Sequence, residues 1–410
     1  MSMRRVVITG MGIISPIGKD IKTFWENLKN GVCGIDFIQN IDTTGLDVKI
    51  AGEVRDFRAE DFGVEKGMAR KADRYCQFAL AAAQQAMNDR GDLGLPNERV
   101  GVYVGSGIGG MQTFLNESKK MLEEGPGRIS PLFIPMMISN IAAGNIAIAH
   151  HAEGPCLPVV TACATSTHAI GEAYRAIKYG YADAIIAGGA EATINPLAIG
   201  GFTNCKALSK SSDPKRASLP FDAERKGFVI GEGAGIVILE EYEHAKATGA
   251  KIYGEICGYG NTCDAYHYTA PKPDGTCASR AIKMALDEAN YSEKDTLYVN
   301  AHGTGTHMND SSETQALKLA LGDKEARRAH ISSSKSMTGH MLGAAGGVEV
   351  IVSALSLQEG IVTPTIGLNN PDPECDLNYT PNKAQKADLT IAISNSLGFG
   401  GHNACVAIRK

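Results

Sequence analysis

The sequence predicts an α/β fold in which central sheets are covered by helices. Two observations carry this. Short apolar runs alternate with amphipathic stretches along the whole 410-residue chain, the pattern of sheets layered with helices. A strand followed by a glycine-rich turn also recurs at a spacing of about 200 residues, which points to two related halves.

The first run, VVITG, follows two arginines and briefly mimics a secretion signal. Gly10 and Gly12 break it, and no small-residue cleavage site follows, so it reads as a buried first strand over 6–9. Further buried strands are expected at 100–104, 184–187 and 236–239, then at 297–300, 331–333 and 389–394. Helical periodicity fits 74–88 and the stretch at 171–179, where Ile170, Ala173, Tyr174 and Ile177 share a face. Residues 278–289 and 346–358 also read as helices. The repeat pairs VGVYVGSGIGG (100–110) with TLYVNAHGTGT (296–306). It pairs IIAGGAEA (185–192) more weakly with ISNSLGFGG (393–401). The join falls in EEYEHAKATGAKIYGE (240–255): a charged helix, a glycine and a new strand. One half is therefore expected over 1–250 and the other over 251–410, tightly packed.

Composition narrows the function. Hydrophobic residues make up 43% and charged residues 21%, as in ordinary globular proteins. The net charge of −5 argues against nucleic acid as a partner of the whole surface. No apolar run reaches the length of a membrane span, so no membrane association is expected. Ten cysteines lie scattered without a CxxC pair, which favours reduced thiols and a cytoplasmic setting.

Three features bear chemistry. GSGIGG (105–110) fits a dinucleotide fingerprint. Similar strand-to-turn sites recur among 47 glycines, and a tight turn for close backbone approach is the simpler reading. Cys163, in VVTACATSTHAI (159–170), follows a strand-like run at 159–161 and precedes a helix. A helix N-terminus favours an anion, so a lowered thiol pKa is expected. Small neighbours leave room for a substrate. On this stretch alone a nucleophile and a structural thiol both remain open. His302 in NAHGTGT and His340 in KSMTGHMLGAAGG each follow a strand in a glycine-rich loop, where α/β folds gather active-site groups. Zinc is a rival reading of a cysteine with two histidines, but close ligand pairs are lacking.

TACATS, PFDAERKGFVIGEGAG (220–235), NAHGTGT, KSMTGHMLGAAGG and NSLGFGG together resemble the β-ketoacyl-acyl carrier protein synthases, nearest to the elongating condensing enzymes of type II fatty acid synthesis. The resemblance spans residues 3–409. It implies a thiolase fold, with duplicated βα halves in five αβαβα layers, and usually a homodimer. It implies Cys163 as the acyl-accepting nucleophile, with His302 and His340 polarising a malonyl thioester during decarboxylation. Lys335 would support the histidines, with Glu349. Backbone amides of Cys163 and Phe399 would form the oxyanion hole, Phe399 lying on a gating loop. Thr269, Thr304 and Thr306 match pantetheine contacts, and Ile108, Phe133, Phe202 and Leu342 match the acyl pocket. Asn300, Ala301, Glu349, Ser394 and Asn395 resemble a buried structural monovalent-cation site. The chemistry requires no metal or redox cofactor.

An acyl carrier protein is acidic, so a net-negative enzyme needs a local basic dock. Lys66, Arg70, Lys71, Arg74, Arg128, Lys206 and Lys210 are candidates, and Arg70, Lys71 and Lys206 fit best. Ser166 stands where the family often has glycine, and His307-Met308 where it often has Pro-Leu. A thiolase would place a second cysteine in a late glycine run, whereas Cys405 lies in a strand-like NACVAIRK. An initiating or chalcone-type synthase would pair cysteine with histidine and asparagine, whereas here the third position is His340. A polyketide ketosynthase and a non-catalytic chain-length partner remain as rivals.

Overall fold

The computed structural model describes residues 3–410. Nine strands build its main sheet: β1 (Val6–Ile14), β2 (Val100–Gly105), β3 (Ala184–Glu191), β4 (Gly233–Glu241), β5 (Gly254–Cys263), β6 (Leu297–Asn300), β7 (His330–Ser332), β8 (Ile391–Gly398) and β9 (His402–Arg409). Their order is β2-β3-β4-β1-β5-β9-β8-β6-β7. Read outward from the centre, β1, β4, β3 and β2 match β5, β9, β8 and β6. β2 pairs with β3 in parallel, as β6 does with β8, and the remaining matched neighbours run antiparallel. β1 joins β5 antiparallel at the centre, from Val6↔Ile256 to Ile8↔Gly254. β7 extends β6 in parallel, and at the opposite end Cys156 bridges Val102 in parallel. The sequence repeat is thus a pseudo-two-fold of the sheet.

Five helices set the layers: α1 (Arg74–Arg90), α2 (Thr165–Lys178), α3 (Thr276–Glu288), α4 (His307–Leu321) and α5 (Ala345–Glu359). α1 covers the outer face of β1, β3 and β4. α3, backed by α4, covers the outer face of β5 and β9. α2 and α5 touch each other and strands of both halves, so they form the middle layer. This is the αβαβα arrangement expected. It explains why β3 is buried at every position and why Ala345 through Leu357 of α5 are all buried: both have protein on every side.

The middle layer is thin because small residues let α2 and α5 cross closely. A Cβ on Gly346 would stand 1.9 Å from Thr167 Oγ1 and 2.8 Å from its amide nitrogen. Ser166, one of the departures from the family pattern, uses its hydroxyl to accept the Gly347 N–H at 2.8 Å. Thr167 Oγ1 meets Ser396 Oγ at 2.7 Å and ties the pair to β8.

The expected strand at 159–161 does not form. That run carries no ladder, and pairing ends with the bridge at Cys156. Its backbone packs by close approach instead: a Cβ on Gly105 would lie 1.9 Å from the Val159 carbonyl oxygen. We expect Gly346→Ala to lower unfolding stability by about 1–3 kcal/mol through overpacking. Gly200→Ala, where nothing lies within 4 Å, should be neutral or stabilising in the same chemical denaturation series.

Candidate active site

Cys163 sits in the one-turn helix Ala162–Ala164 that runs into α2. Ala162 is left-handed, with φ 50°, a conformation that costs alanine energy and turns the next side chain outward. The turn is held from behind. Thr161 N donates to Thr165 Oγ1 at 2.9 Å, and Thr161 Oγ1 meets His168 Nδ1 at 2.8 Å. His168 Nε2 lies 3.1 Å from Asn261 Oδ1, which anchors the turn to β5.

Cys163 is 9% exposed and opens on a cavity of about 140 Å³. The same cavity is lined by His302, His340, Phe399, Thr269, Thr304, Thr306, Phe202, Leu342 and Lys206. A larger open cleft of about 790 Å³, lined by Lys19, Asp36, Arg55 and Lys215 among others, contains none of the expected site residues. The chemistry therefore gathers in the smaller, more enclosed space.

His302 follows β6 and His340 precedes the turn into α5. Their ring centroids are 5.3 Å apart at 85°. Phe228 packs edge-on against His340 at 5.2 Å. Burial holds both imidazoles well below their ordinary range, and the nearby Lys335 ammonium pushes the same way. Both rings are therefore neutral. Their Nδ1 atoms are buried without a partner, which leaves Nε2 as the ring nitrogen open to the cavity. Lys335 lies behind them, buried and ion-paired to Glu349 Oε1.

The thiol differs from expectation. Burial pushes Cys163 up to about 12, while Lys335 and the Phe399 amide hydrogen bond pull it down. Desolvation in this closed pocket outweighs both, so the resting group is a thiol.

The substrate-arm residues also find places. Thr304 Oγ1 and Thr306 Oγ1 are 3.0 Å apart on the cavity wall. Thr269 sits in a loop whose Tyr268 carbonyl accepts the Gly400 N–H at 2.8 Å, tying that loop to the turn carrying Phe399. Phe202 stands 6.4 Å from Phe399, ring to ring. Ile108 and Phe133 are not among the cavity-lining residues. Ile108 is 41% exposed, and Phe133 packs 6.5 Å from Phe114. Of the basic candidates, Arg74 is taken by Glu232, Arg128 by Glu124 and Lys210 by Asp47. Arg70, Lys71 and Lys206 are exposed, and Lys206 is at the cavity itself.

Several supporting groups escaped the sequence reading. Glu313 is wholly buried on α4 and accepts the His302 and Gly303 N–H groups, each at 2.8 Å, and the Asn395 amide at 2.7 Å. Arg225, in the PFDAERKGF run, donates to the His307 carbonyl at 3.1 Å and pairs with Asp372 and Asp310. It thus clamps the end of the Thr304–Thr306 loop. For Glu313 the available signal was a lone carboxylate between Ser312 and Thr314, which demands a buried partner; Arg225, between Glu224 and Lys226, gave none.

The expected cation site can be tested on its own atoms. Asn300 Oδ1, Ser394 Oγ, Asn395 Oδ1 and Glu349 Oε2 are all buried without hydrogen-bond partners. Asn300 and Ser394 are register neighbours on β6 and β8. The two amide nitrogens are used elsewhere, on Tyr298 and Glu313. Orphaned oxygens of this kind fit a hard cation. Among the described residues, no group of three or more His, Cys, Asp or Glu could hold a metal ion. No described helix is long and apolar enough to cross a membrane.

Residues 3–245 match the model of the beta-ketoacyl synthase N-terminal domain, and residues 253–369 that of its C-terminal domain. A protein of Staphylococcus aureus named 3-oxoacyl-(acyl-carrier-protein) synthase 2 is 51% identical over 410 residues, covering 99% of this chain and 98% of the relative. One of the same name from a Synechocystis species is 48% identical over 413 residues, covering 100% and 99%. A beta-ketoacyl synthase from Burkholderia phymatum superposes with a TM-score of 0.92 at 34% identity, covering 100% of both chains. A type II PKS ketosynthase, solved in complex with its acyl-carrier protein, superposes with a TM-score of 0.90 at 35% identity, covering 100% and 99%. With its cysteine and two neutral histidines in one cavity and both family domains matched, the chain belongs to the beta-ketoacyl synthase family.

Proposed function

We propose that this protein condenses malonyl-acyl carrier protein with an acyl group held on Cys163, releasing CO₂ and giving β-ketoacyl-acyl carrier protein in type II fatty acid elongation. One observation carries the reading: a buried thiol and two neutral imidazoles share one cavity. In the first step the Cys163 sulfur attacks the acyl thioester and expels the carrier thiol, which leaves with the cysteine's proton. Amides of Cys163 and Phe399 stabilise the tetrahedral oxyanion, each worth ~3 kcal/mol. In the second, the malonyl C–C bond breaks, CO₂ departs and its electron pair becomes a thioester enolate. Neutral Nε2–H groups of His302 and His340 hold that oxygen without protonating the carbanion. The carbanion attacks the acyl-cysteine carbonyl, and collapse expels the thiolate, which takes up a proton from solvent. Burial keeps the imidazoles neutral, and the Lys335 ammonium, paired to Glu349, pushes the same way.

The substrate arm enters past Thr269, Thr304 and Thr306, and Phe399 gates the cavity. The carrier docks on Arg70, Lys71 and Lys206; a related ketosynthase has been solved with its carrier. Residues 1–250 supply the nucleophile and 251–410 both histidines. The working form is a cytoplasmic homodimer. Phe114, Ile134, Ile148 and Val160, each between 42% and 64% exposed, form the apolar face for the second copy, and Phe133 reaches the acyl pocket from across it. A polyketide role uses the same machinery; the fatty-acid relatives, at 51% identity against 35%, favour elongation.

Purified wild type should extend carrier-bound acyl primers with malonyl-carrier. Cys163→Ala should not be acylated, and His340→Ala should acylate normally yet lose condensation by about 10²-fold or more. A wild type that transfers no acyl group to Cys163 overturns the reading.

Stability should carry the mark of the neutral histidines. The unfolded chain protonates them near pH ~6.5, whereas the folded pocket does not. Stability therefore falls as pH drops through that value, by about 1.4 kcal/mol per histidine one unit below it. Urea melts of His340→Asn should fall less steeply over the same range.

Asn300, Ala301, Glu349, Ser394 and Asn395 would hold a structural monovalent cation. Replacing potassium or sodium by tetramethylammonium should lower the melting temperature, and Asn395→Ala should abolish that difference.

A further inference from the structure

The pseudo-two-fold that relates the halves also relates two turns. One leads into α2 and the other into α5, and each has a left-handed residue at the same place, Ala162 at φ 50° and Leu342 at φ 46°. Under this pairing Cys163 corresponds to Gly343. Gly398, which ends β8, corresponds to Glu191, which ends β3. At the catalytic turn position 398 must stay bare: a Cβ there would lie 2.7 Å from Thr161 O and 3.4 Å from Cys163 N. At the mirrored turn a carboxylate fills the equivalent space.

Glu191 is wholly buried. Its Oε2 accepts the Gly107 N–H at 2.9 Å and the Gly343 N–H at 3.1 Å. Its Oε1 accepts the Ser106 hydroxyl at 2.8 Å and the Ile108 N–H at 3.3 Å. Burial pushes the Glu191 carboxyl up to about 7, while these four donors pull it down. Three backbone amides and a hydroxyl thus converge on one buried carboxyl group, as they would on a reaction oxyanion. The segments they come from are the loop bearing Ile108 and the turn bearing Leu342, which lines the cavity beside Cys163.

We propose that Glu191 is the permanent occupant of a second, mirrored anion hole, and that it positions the Ile108 loop against the Leu342 turn and so sets which primer lengths Cys163 accepts. The proposal rests on the acyl-transfer reading above and adds to it a positioning residue for specificity. A single carboxylate bonds both segments, so its loss frees one to shift against the other. Gly107 passes the effect toward the nucleophile turn: a Cβ there would lie 2.7 Å from Glu191 Oε2 and 3.4 Å from Ala162 O.

The test measures acylation of Cys163 by carrier-bound hexanoyl and hexadecanoyl primers in wild type, Glu191→Gln and Ser106→Ala, with a melting curve for each. Gln presents an NH₂ group where amides already donate. Ser106→Ala removes one donor and spares the carboxylate, so it stays informative if the first variant does not fold. We expect the ratio of the two primer rates to change by about threefold or more in Glu191→Gln, and less in the same direction in Ser106→Ala. Removing the Glu191 charge also eases ionisation of Cys163. That effect scales both primers alike and cancels in the ratio. An unchanged ratio in whichever variants fold overturns the proposal alone. A wild type that accepts neither primer overturns the condensing reading, and this proposal with it.

Discussion

The closeness of α2 and α5 where they cross is the constraint on which the site depends. Thr167 and Gly346 touch with no room for a methyl group, and Ser166 bonds across the gap to Gly347. That contact brings the ends of two separate sheet halves to one point. The Cys163 turn comes from one half, while His302, His340 and Phe399 come from the other. A wider helix pair would separate them, and no local adjustment of a loop would bring them back. Packing at the centre of the molecule therefore sets the geometry of the cavity, in the way that close-packed interiors transmit displacement.

Electrostatics follows from the same burial. Water is excluded from the middle layer, so every charge there is either paired or surrounded by donors. Lys335 and Glu349 neutralise each other, and Glu313 takes two backbone amides and an asparagine. Groups without such support lose their charge, which is why the two histidines are neutral and Cys163 is a thiol. Neutral imidazoles suit an enolate better than imidazolium, because they donate a hydrogen bond without surrendering a proton to the carbanion.

Much of this was legible in the sequence. The alternation of apolar runs located most of the main strands, and the recurrence of strand plus glycine exposed the duplication. Cys163, His302 and His340 stood out because each follows a strand-like run amid small residues. Other features were hidden for identifiable reasons. The β-branched run 159–161 has strand composition, yet it sets the Val159 carbonyl against Gly105 and makes no ladder. The helix-dipole argument for a lowered thiol pKa omitted desolvation, which depends on a pocket no local window describes. Glu191 bonds amides far away in the chain and leaves no spacing pattern, whereas Glu313 reaches back over a loop to the His302 and Gly303 amides, a link no helical or strand period marks. The mirrored turns at 161–164 and 341–344 escaped the repeat because 180 residues separate them rather than about 200.

The central pairing of β1 with β5 has an evolutionary consequence. Were the halves separate identical chains, the same edge pairing would give a symmetric dimer with two equal sites, each bound by symmetry to the other's residues. Covalent linkage releases that bond. A mutation in one copy no longer appears in both, so one copy can keep the thiol and the other acquire imidazoles. A single chain can thus hold one asymmetric centre built from both halves, which two identical chains paired in the same way could not.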